Sequence, residues 1–366
     1  MRAAILTAAN QPLELVDDLE IEDPRAGEVL VDVKFCGICH SDVTVQEGGH
    51  ALPAVLGHEA AGVVGAVGPG VTHLKPGDHV MLTPLAPCGH CPACARHEAT
   101  ACPDALSFAH NARPDGTTPF SRLGAPVLRG LGVGGFAAQT VVSANGAVKI
   151  AADIPLEVAC VIGCAMQTGV GAVFNTAAVE RGSSVLVMGL GGIGQAIVQG
   201  ASIAGASRII VSDPVEARRE AAQAFGATDV VDPSSDDLSA AVAAATSGAG
   251  VDYAFEAAGR AALVEQGIDA TRVGGSTVMV GASPIEENIT INAAVLFMTM
   301  QKKLVGSLLG HCWPDRDIPL LLDLYRSGRL DLDSMISNRL GLSEVNEGIR
   351  RLHAAEGIRT VLDISA

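Results

Sequence analysis

The sequence predicts an α/β fold with two domains, one rich in β-strands and one built on a doubly wound parallel sheet. Residues up to about 165 alternate short strands of period-two hydrophobicity with Gly/Pro turns and contain few long helical patterns. From about 166 to 308, apolar strands alternate with helical segments, an order typical of a parallel sheet covered by helices. The third observation is a glycine-rich turn that directly follows the first of these apolar strands.

The individual elements divide the chain between the two domains. In the first domain, strands are predicted at 28–35 and 77–83. In the second, strands are predicted at 184–188, 208–212, 251–256 and 276–280, with a helix at 195–204. Helical patterns at 318–327 and 343–353 and a last strand at 360–364 return the chain to the first domain. The predicted limits are therefore 1–165 with 309–366 for the β-rich domain and 166–308 for the parallel-sheet domain, with the functional site in the cleft between them.

Four cysteines form the most specific motif of the chain. They are separated by two, two and seven residues within a Pro-flanked stretch: Cys88, Cys91, Cys94 and Cys102. Four thiolates at such spacing suit the tetrahedral coordination of structural zinc, and the segments between them look too short for a helix or strand. The alternative, four unrelated reduced cysteines, is disfavoured by the regular spacing. We predict a zinc ion that folds this loop and does not react.

A second set of zinc-binding residue types is spread along the first domain. Cys39 stands at the end of the 28–35 strand, His58 lies in a Gly-His-Glu sequence that opens another strand, and Cys164 follows much later in Gly-Cys-Ala-Met-Gln-Thr-Gly. Two thiolates and one imidazole leave the fourth tetrahedral position for water or substrate, as in catalytic zinc sites. We predict that chemistry takes place here.

Each of these residues also has a simpler interpretation. A cysteine in an apolar run, such as Cys164, is more often a small buried hydrophobe, and a lone histidine at a strand end is usually a surface residue. Cys36 and Cys39 could form a redox Cys-x-x-Cys pair, although the surrounding βαβ context is missing. The remaining cysteines, Cys36, Cys160 and Cys312, are interpreted as packing residues.

The glycine-rich turn has the order of a dinucleotide-binding site: strand, turn and helix. Its residues are Gly189, Gly191, Gly192, Ile193 and Gly194. The first glycine permits the tight turn, the second lets backbone approach a pyrophosphate, and the last lets the helix pack closely on the strand. The next strand ends in Asp213, where a carboxylate would bind the adenosine ribose hydroxyls and repel a 2′-phosphate. NAD is therefore favoured over NADP, with Arg218 as a residue that softens the preference.

Taken together, these motifs resemble the zinc-containing medium-chain alcohol dehydrogenase family, and the resemblance covers essentially the whole chain. It implies a GroES-like catalytic domain, a Rossmann NAD-binding domain and two zinc ions per subunit. The matching positions imply catalytic zinc on Cys39, His58 and Cys164, and structural zinc on the cysteine quartet. They also imply further roles: Asp42 orients His58, Glu59 lies beside the metal as an occasional ligand, Ser41 passes the substrate proton, His40 and Arg359 contact the cofactor pyrophosphate, and Thr168 lies near the nicotinamide.

The mechanism implied by the resemblance is reversible hydride transfer between an alcohol and NAD. Zinc would act as a Lewis acid on the alcohol or carbonyl oxygen, and Ser41 would relay the proton through the cofactor ribose toward solvent. Some relatives carry a histidine five residues after the first zinc-binding cysteine, where this chain has Thr44. The terminal proton acceptor is left open at this point.

The expected substrate class is inferred from positions at which this sequence differs from, or resembles, individual branches of the family. The long 102–164 segment resembles the liver-type and formaldehyde dehydrogenase branches, but Pro119 stands where the glutathione-binding arginine would align. The short 46–53 segment resembles mycothiol-dependent formaldehyde dehydrogenases of actinobacteria. Thiol-dependent formaldehyde oxidation is therefore kept as the alternative function. The sequence after Cys164 resembles the branch acting on benzyl and terpenoid alcohols, and the aligned pocket positions Pro84, Ala282 and Leu308 are small or apolar. We expect a medium-sized apolar alcohol, and keep a non-catalytic NAD- and zinc-binding protein as an alternative of another class.

Composition agrees with this prediction. The formal net charge of −16 over 366 residues disfavours nucleic-acid binding. The hydrophobic fraction of 48% comes largely from Ala and Val, and polar residues interrupt every apolar stretch before it reaches membrane-span length. With no cleavable signal read at residue 1, we expect a cytoplasmic protein whose reduced thiols bind zinc. The apolar 276–291 region and the strand near Val305 predict a homodimer or homotetramer, between which the sequence does not distinguish.

Overall fold

A computed structural model describes residues 1–48 and 52–366 of the protein. Gly49, His50 and Ala51, part of the short 46–53 segment used in the substrate argument, lie outside the described residues. Contacts divide the chain into two compact units. Unit 1 comprises residues 1–164, 313–322 and 332–366, and unit 2 comprises residues 165–312 and 323–331. Residues 309–312 and 323–331, which the sequence analysis assigned to the first domain, thus group with unit 2.

The first part of unit 1 is built mainly from short strands. In chain order its elements are β1 (Ala3–Leu6), β2 (Glu14–Val16), β3 (Glu20–Ile21), β4 (Glu28–Ile38), α1 (His40–Gly48), β5 (Ala54–Val55), β6 (Glu59–Val67), β7 (His79–Leu82), α2 (Pro92–Ala95), β8 (Phe120–Arg122), β9 (Ala125–Arg129), β10 (Gln139–Ser143), β11 (Ala147–Lys149) and α3 (Leu156–Ala159).

Unit 2 alternates strands and helices. Its elements are α4 (Ala165–Gly171), β12 (Ser184–Met188), α5 (Gly192–Ala204), β13 (Arg208–Ser212), α6 (Glu216–Ala224), β14 (Asp229–Val231), α7 (Leu238–Ala245), β15 (Val251–Glu256), α8 (Ala261–Ala270), β16 (Thr271–Met279) and β17 (Lys303–Gly306). The chain then continues through α9 (Pro314–Arg326), β18 (Ile336–Gly341), α10 (Val345–His353) and β19 (Arg359–Asp363).

Two sheets organise unit 1. One has the strand order β2-β1-β5-β9-β8-β3, and the other has the order β11-β7-β6-β4-β19-β18, with β10 also paired to β4. The long strand β4 is the centre of the second sheet because it pairs antiparallel with β6, β10 and β19. The last strand of the chain therefore lies directly beside the strand that leads into Cys39. Their inward side chains share one apolar core that includes Val31, Val64 and Leu362.

Unit 2 has a six-stranded parallel sheet in the order β14-β13-β12-β15-β16-β17. This is the strand order of the dinucleotide-binding doubly wound fold, with the order reversing beside the first strand. The central strands are buried apolar runs, as expected for a sheet covered on both faces. Together with the β-rich first unit, this architecture confirms the predicted fold class.

The element bounds agree best where hydrophobic patterns are local. Strands β12, β13 and β15 begin and end at the predicted residues, whereas β16 begins five residues early because its start pairs with Val251 of β15. The prediction that the cysteine quartet has no room for a helix is wrong. The single turn α2 forms there because the Cys91 sulfur caps the backbone N–H of Cys94 and Pro92 fits the first helical turn.

Among the described residues, a test of length and hydropathy for a membrane-crossing helix is passed by no single helix. One bent pair of short helical segments, 156–163 and 165–176, passes the same test when its two halves are counted together.

Candidate active site and dinucleotide site

Four buried side chains of unit 1 converge on one point. They are Cys39, His58, Glu59 and Cys164, and each offers one ligand atom within 4.8 Å of the others. Among the described residues, Nε2 of His58 and both carboxylate oxygens of Glu59 have no hydrogen-bond partner although they are fully buried. Buried polar atoms are nearly always paired, so orphaned donors and acceptors facing two thiols are typical of a metal site. The donor set of sulfur, nitrogen and carboxylate oxygen fits zinc.

The fold of unit 1 brings these residues together from distant parts of the chain. Cys39 follows β4, His58 directly precedes β6, and those two strands are antiparallel neighbours, with Gly37 opposite Glu59. Cys164 arrives after a short 3-10 turn at Cys160–Gly163. Gly163 has no side chain for a steric reason, because a Cβ there would approach the carbonyl oxygen of Leu82 to 2.5 Å. That close approach holds Cys164 beside the ends of the sheet strands.

Asp42 holds the arrangement in place. It is fully buried in α1, and its Oδ2 accepts the backbone N–H of Cys39 at 3.0 Å. Its Oδ1 accepts the backbone N–H of Gly57 at 2.9 Å and lies 3.1 Å from Nδ1 of His58. One carboxylate thus ties both ligand-bearing loops and orients the imidazole with Nε2 facing the cluster.

The charges in the cluster are strongly coupled. The Cys164 thiol lowers the pKa of Cys39 well below its usual range despite the opposing effect of burial. The same interaction, followed by burial, raises the pKa of Cys164. Burial disfavours protonated His58, but Asp42 and the Cys39 sulfur together raise its pKa well above the usual value. A divalent cation would reduce the repulsion between the two sulfurs because it stabilises both as thiolates at once.

Arg359 lies at the back of the same cluster. Its side chain is buried, Nη1 donates to the carbonyl oxygen of Ile38 at 2.9 Å, and Nε lies 3.4 Å from Oε2 of Glu59. The resemblance implied a contact with cofactor pyrophosphate at this position. In the structure the guanidinium contacts Glu59 and the carbonyl oxygen at the end of β4, and the pyrophosphate contact stays a prediction.

The proposed proton-relay residues begin α1. Ser41 is half-buried, and its Oγ lies 3.8 Å from the Cys39 sulfur. His40 and Thr44 are exposed, and the Thr44 hydroxyl donates to the His40 carbonyl oxygen at 3.1 Å. The hydroxyl proton of Thr44 is therefore already engaged within the helix.

The cysteine quartet forms a second cluster with metal-binding geometry, again with ligand atoms within 4.8 Å of one another. Backbone N–H groups point at its sulfurs: Cys88 N lies 3.4 Å from Cys102 Sγ, and Gly89 N lies 3.3 Å from Cys94 Sγ. The backbone N–H of Cys94 lowers the pKa of Cys91 to about 7, while burial raises that of Cys94 to about 12. Amides that donate to sulfur stabilise thiolates, which suits a four-sulfur zinc site.

In unit 2 the glycine-rich turn connects β12 to α5. Gly189 has φ +89°, and a Cβ there would come within 2.8 Å of the Ala258 backbone nitrogen. A Cβ on Gly194 would come within 1.9 Å of the Gly189 carbonyl oxygen, whereas one on Gly191 would meet nothing within 4 Å. The turn is thus tightly packed on its inner side and open at Gly191, next to the first-turn amides of α5, which include those of Gly192 and Ile193.

Asp213, at the end of β13, anchors this turn. Its Oδ2 accepts the backbone N–H of Leu190 at 2.7 Å, and its Oδ1 accepts that of Val215 at 2.8 Å. Arg218 lies 4.0 Å from the carboxylate, and its buried Nε has no hydrogen-bond partner within the part of the chain that the structure describes. A carboxylate and a guanidinium therefore stand side by side where the ribose hydroxyls of a dinucleotide would lie.

Each of the two units contains most of a segment that matches a known protein family. Residues 25–152 match the family described as the alcohol dehydrogenase GroES-like domain, and residues 192–327 match that described as zinc-binding dehydrogenase. A class-3 alcohol dehydrogenase of Cereibacter sphaeroides is 38% identical over 374 residues, which cover 99% of each chain. The chain belongs to the zinc-containing medium-chain alcohol dehydrogenase family.

Two further proteins show which members of this family of oxidoreductases the chain is similar to. An S-(hydroxymethyl)glutathione dehydrogenase of Paracoccus denitrificans is 35% identical over 373 residues, 99% of each chain. The crystal structure of benzyl alcohol dehydrogenase from Acinetobacter calcoaceticus superimposes with a TM-score of 0.94 at 31% identity, covering 100% of this chain and 99% of that one. This alcohol dehydrogenase therefore resembles enzymes of two different branches over its full length.

The predicted substrate-pocket positions belong to different units, and their joint role stays a prediction. Pro84 is buried after β7 in unit 1, whereas Ala282 and Leu308 are exposed in unit 2, after β16 and β17. Thr168 is buried in α4 of unit 2, and its hydroxyl has no hydrogen-bond partner among the described residues.

Sequence reasoning missed one residue beside the dinucleotide turn of this dehydrogenase. Gln195 is fully buried in α5, and its Nε2 donates to the carbonyl oxygens of Leu190 at 3.2 Å and Arg218 at 2.8 Å. It joins the glycine-rich turn to the start of α6. The only signal in the sequence was a polar residue on the apolar face of a helix.

Proposed function

We propose that this enzyme is a zinc-dependent alcohol dehydrogenase that transfers hydride reversibly between NAD and a medium-sized apolar alcohol or aldehyde. The observation that supports it most directly is the buried cluster of Cys39, His58 and Cys164, in which Asp42 leaves Nε2 of His58 directed at two thiols. Its likeness to a benzyl alcohol dehydrogenase over the whole chain supports an aliphatic, aryl or terpenoid substrate.

The proposal assigns a role to each residue. Cys39, His58 and Cys164 would hold catalytic zinc, with Glu59 beside it, and the cysteine quartet would hold structural zinc. The catalytic ion supplies Lewis-acid polarisation of an alcohol or carbonyl oxygen when bound. Asp42 keeps His58 in the tautomer that leaves Nε2 as a ligand. Ser41, adjacent to Cys39, would accept the alcohol proton, and His40 and Arg359 are proposed to contact the cofactor pyrophosphate.

The NAD preference is proposed from Asp213. Its carboxylate would accept the ribose hydroxyls and repel a 2′-phosphate, because like charges at this distance are costly. Arg218, 4.0 Å away, reduces that repulsion. The substrate pocket is proposed to include Pro84, Ala282 and Leu308, and the assembly to be a homodimer or homotetramer.

A second function has specific support, namely thiol-dependent formaldehyde oxidation. The relative from Paracoccus denitrificans carries that kind of name, S-(hydroxymethyl)glutathione dehydrogenase. Against glutathione itself stands Pro119, which lies buried at the start of β8 where a carboxylate-binding arginine would align. A mycothiol adduct therefore stays the better thiol candidate.

The experiment that separates the two functions is a spectrophotometric assay of NADH formation. The substrates are benzyl alcohol, geraniol, hexanol, and formaldehyde with no thiol, with glutathione or with mycothiol. We expect turnover of the free alcohols. Turnover with formaldehyde plus a thiol and none with the alcohols would replace the first proposal by the second.

A further inference from the structure

A cavity of about 490 Å³ opens in unit 1 away from the cluster described above. One wall is the chain at 25–28 leading into β4, a second is the 83–88 segment between β7 and the cysteine quartet, and a third is the 142–146 segment around the end of β10. No described residue of the buried Cys39 cluster lines it, whereas Cys88 of the cysteine quartet and Pro84, a proposed substrate-pocket position, do. The volume is within the range of small-molecule sites.

Three arginines line this cavity, and two of them are paired with acids: Arg25 with Glu22 and Asp115, and Arg113 with Glu28 and Glu22. Arg113 donates from Nε and Nη2 to the two carboxylate oxygens of Glu28, at 2.7 and 2.9 Å, and from Nη1 to Glu22 at 2.9 Å. Such a bidentate pair satisfies the guanidinium completely. Arg113 therefore closes one side of the cavity without offering a free cation.

Arg129 has no acid within salt-bridge distance among the described residues. Arg129 ends β9 with its side chain 4% exposed, and Nη1 donates to the carbonyl oxygen of Val141 at 2.5 Å. Its buried Nε has no hydrogen-bond partner among the residues that the structure describes. Burial lowers the pKa of Arg129 to about 10, an effect that nearby Glu28 only partly offsets. A buried guanidinium without a counter-charge is costly, and cavities hold such a group where a ligand supplies the charge.

The acids that line the cavity are otherwise engaged. Glu28 is held by Arg113, and Asp115 accepts from Thr117 at 2.7 Å and pairs with Arg25 at 3.4 Å. Asp104 is exposed at the rim. Three arginines and three acids therefore line the cavity, and among the described lining residues Arg129 is the buried cation without an acid partner. Part of the remaining wall is small and apolar, with Ala26 and Ala86 among its members.

We propose that this cavity binds a small molecule with a single carboxylate, whose oxygens are held by Arg129 and whose apolar body lies against the alanine and proline wall. A carboxylate suits the planar guanidinium fork and matches one unpaired charge. A phosphate dianion would need a second unpaired cation, and Arg113 does not offer one.

The test uses 4-bromobenzoate as the probe for the whole zinc-loaded enzyme. Binding is measured by calorimetry in the wild type, in Arg129→Met and in the control Arg122→Met, an arginine of the same unit paired with Glu14 and Asp18 on the surface. Losing a charge-assisted hydrogen bond at a buried site should weaken binding at least about tenfold in Arg129→Met. The control should bind as the wild type does, and zinc content should be equal in all three.

A second variant keeps the test valid if Arg129→Met does not fold. Ala26 is exposed at the rim, so Ala26→Phe should narrow the cavity without disturbing the core, and should weaken the probe to a similar degree. In crystals, the anomalous signal of bromine should lie beside Arg129. A signal confined to the Cys39 cluster, wild-type affinity for the probe in both cavity variants, or tighter binding of inorganic phosphate than of the carboxylate would each overturn the proposal.

Discussion

The carboxylate of Glu59 and the guanidinium of Arg359 form a buried ion pair, with 3.4 Å between Oε2 and Nε. The two residues come from β6 and β19, strands that flank β4 on either side. Burial raises the pKa of Glu59 to about 8, although the Arg359 charge opposes this increase. A Cβ on Gly37 would come within 2.3 Å of Oε2, so a side chain at position 37 would clash with the carboxylate where it lies. The pair lies directly beside the candidate metal site formed by Cys39, His58, Glu59 and Cys164.

Removing the cation from this pair should destabilise the protein strongly. Arg359→Met leaves Glu59 buried without a counter-charge, and we expect the free energy of unfolding to fall by up to about 3–5 kcal/mol above the Glu59 pKa of about 8, and by less below it, where the carboxyl is protonated. Urea denaturation measures it. Arg350→Met is the control, because Arg350 is an exposed arginine of α10 paired with Glu347, and it should show no measurable change. In the double variant with Glu59→Gln, the loss should be smaller than the sum of the single effects.

Replacing a ligand of the proposed catalytic zinc should remove one metal ion and the activity while cofactor binding persists. His58→Ala and Cys164→Ser are expected to lower the zinc content by one ion per subunit and to abolish alcohol turnover, with NAD binding retained. Metal analysis and NADH fluorescence check both parts. Cys312→Ser is the matched control, since Cys312 is a buried cysteine of unit 2 whose sulfur donates to the Gln167 carbonyl oxygen. Unchanged zinc and turnover in the ligand variants would refute the assignment.

Asp42→Asn tests the orientation of the histidine. In the wild type the two carboxylate oxygens accept N–H groups of Cys39, Gly57 and His58. An amide has the same shape, but whichever way it is turned its NH₂ group would face at least one of these N–H donors and could not accept from it. We expect zinc affinity, measured by competition with a chelator, to fall about 10- to 100-fold. A variant with wild-type zinc affinity would show that the imidazole needs no help from this carboxylate.

The cofactor preference should depend on Asp213 and Arg218 in opposite directions. Asp213→Gly should weaken NAD and relax discrimination against NADP, because the ribose acceptor and the repelling charge disappear together. It should also cost about 1–3 kcal/mol of stability, since the buried N–H groups of Leu190 and Val215 lose their acceptor. Arg218→Ala should sharpen the preference for NAD. Steady-state kinetics with both cofactors measure the ratio, and an unchanged ratio in Asp213→Gly would contradict the role given to this carboxylate.

The single tryptophan of the chain should report metal loss from the cysteine quartet. The Trp313 ring lies edge-on to that of His97, with 5.2 Å between ring centroids, and His97 lies two residues after the short helix α2 of the cysteine-quartet segment. Chelation should unfold this loop, because structural zinc supplies its folding energy, and should thereby change the Trp313 emission. Cys94→Ser should show the altered emission before any chelator is added. Emission that stays constant while two zinc ions are released would contradict the link.

The sequence by itself determined the fold class and the identity of the chemically specific residues. Strand β12, the glycine-rich turn and α5 could be predicted because their hydrophobic periods and turn requirements are local. The cysteine quartet was evident for the same reason, since its ligands lie within one short segment. The catalytic zinc set of Cys39, His58 and Cys164 was predicted from its residue types and supported by the resemblance, and as ligand assignments these roles stay predictions.

The tertiary structure alone decided which of these residues meet and in what state. Because β-strands far apart in the chain become neighbours, Asp42 accepts from three donors and Arg359 pairs with Glu59. Within the part of the chain that the structure describes, Arg129 has no acid partner. Burial and the coupling between charges depend on those long-range contacts. They leave no periodic pattern or residue spacing in the sequence from which they could be predicted. Even the turn α2 formed against the sequence-based prediction, since the Cys91 cap stabilises a single helical turn that local length alone seemed to forbid.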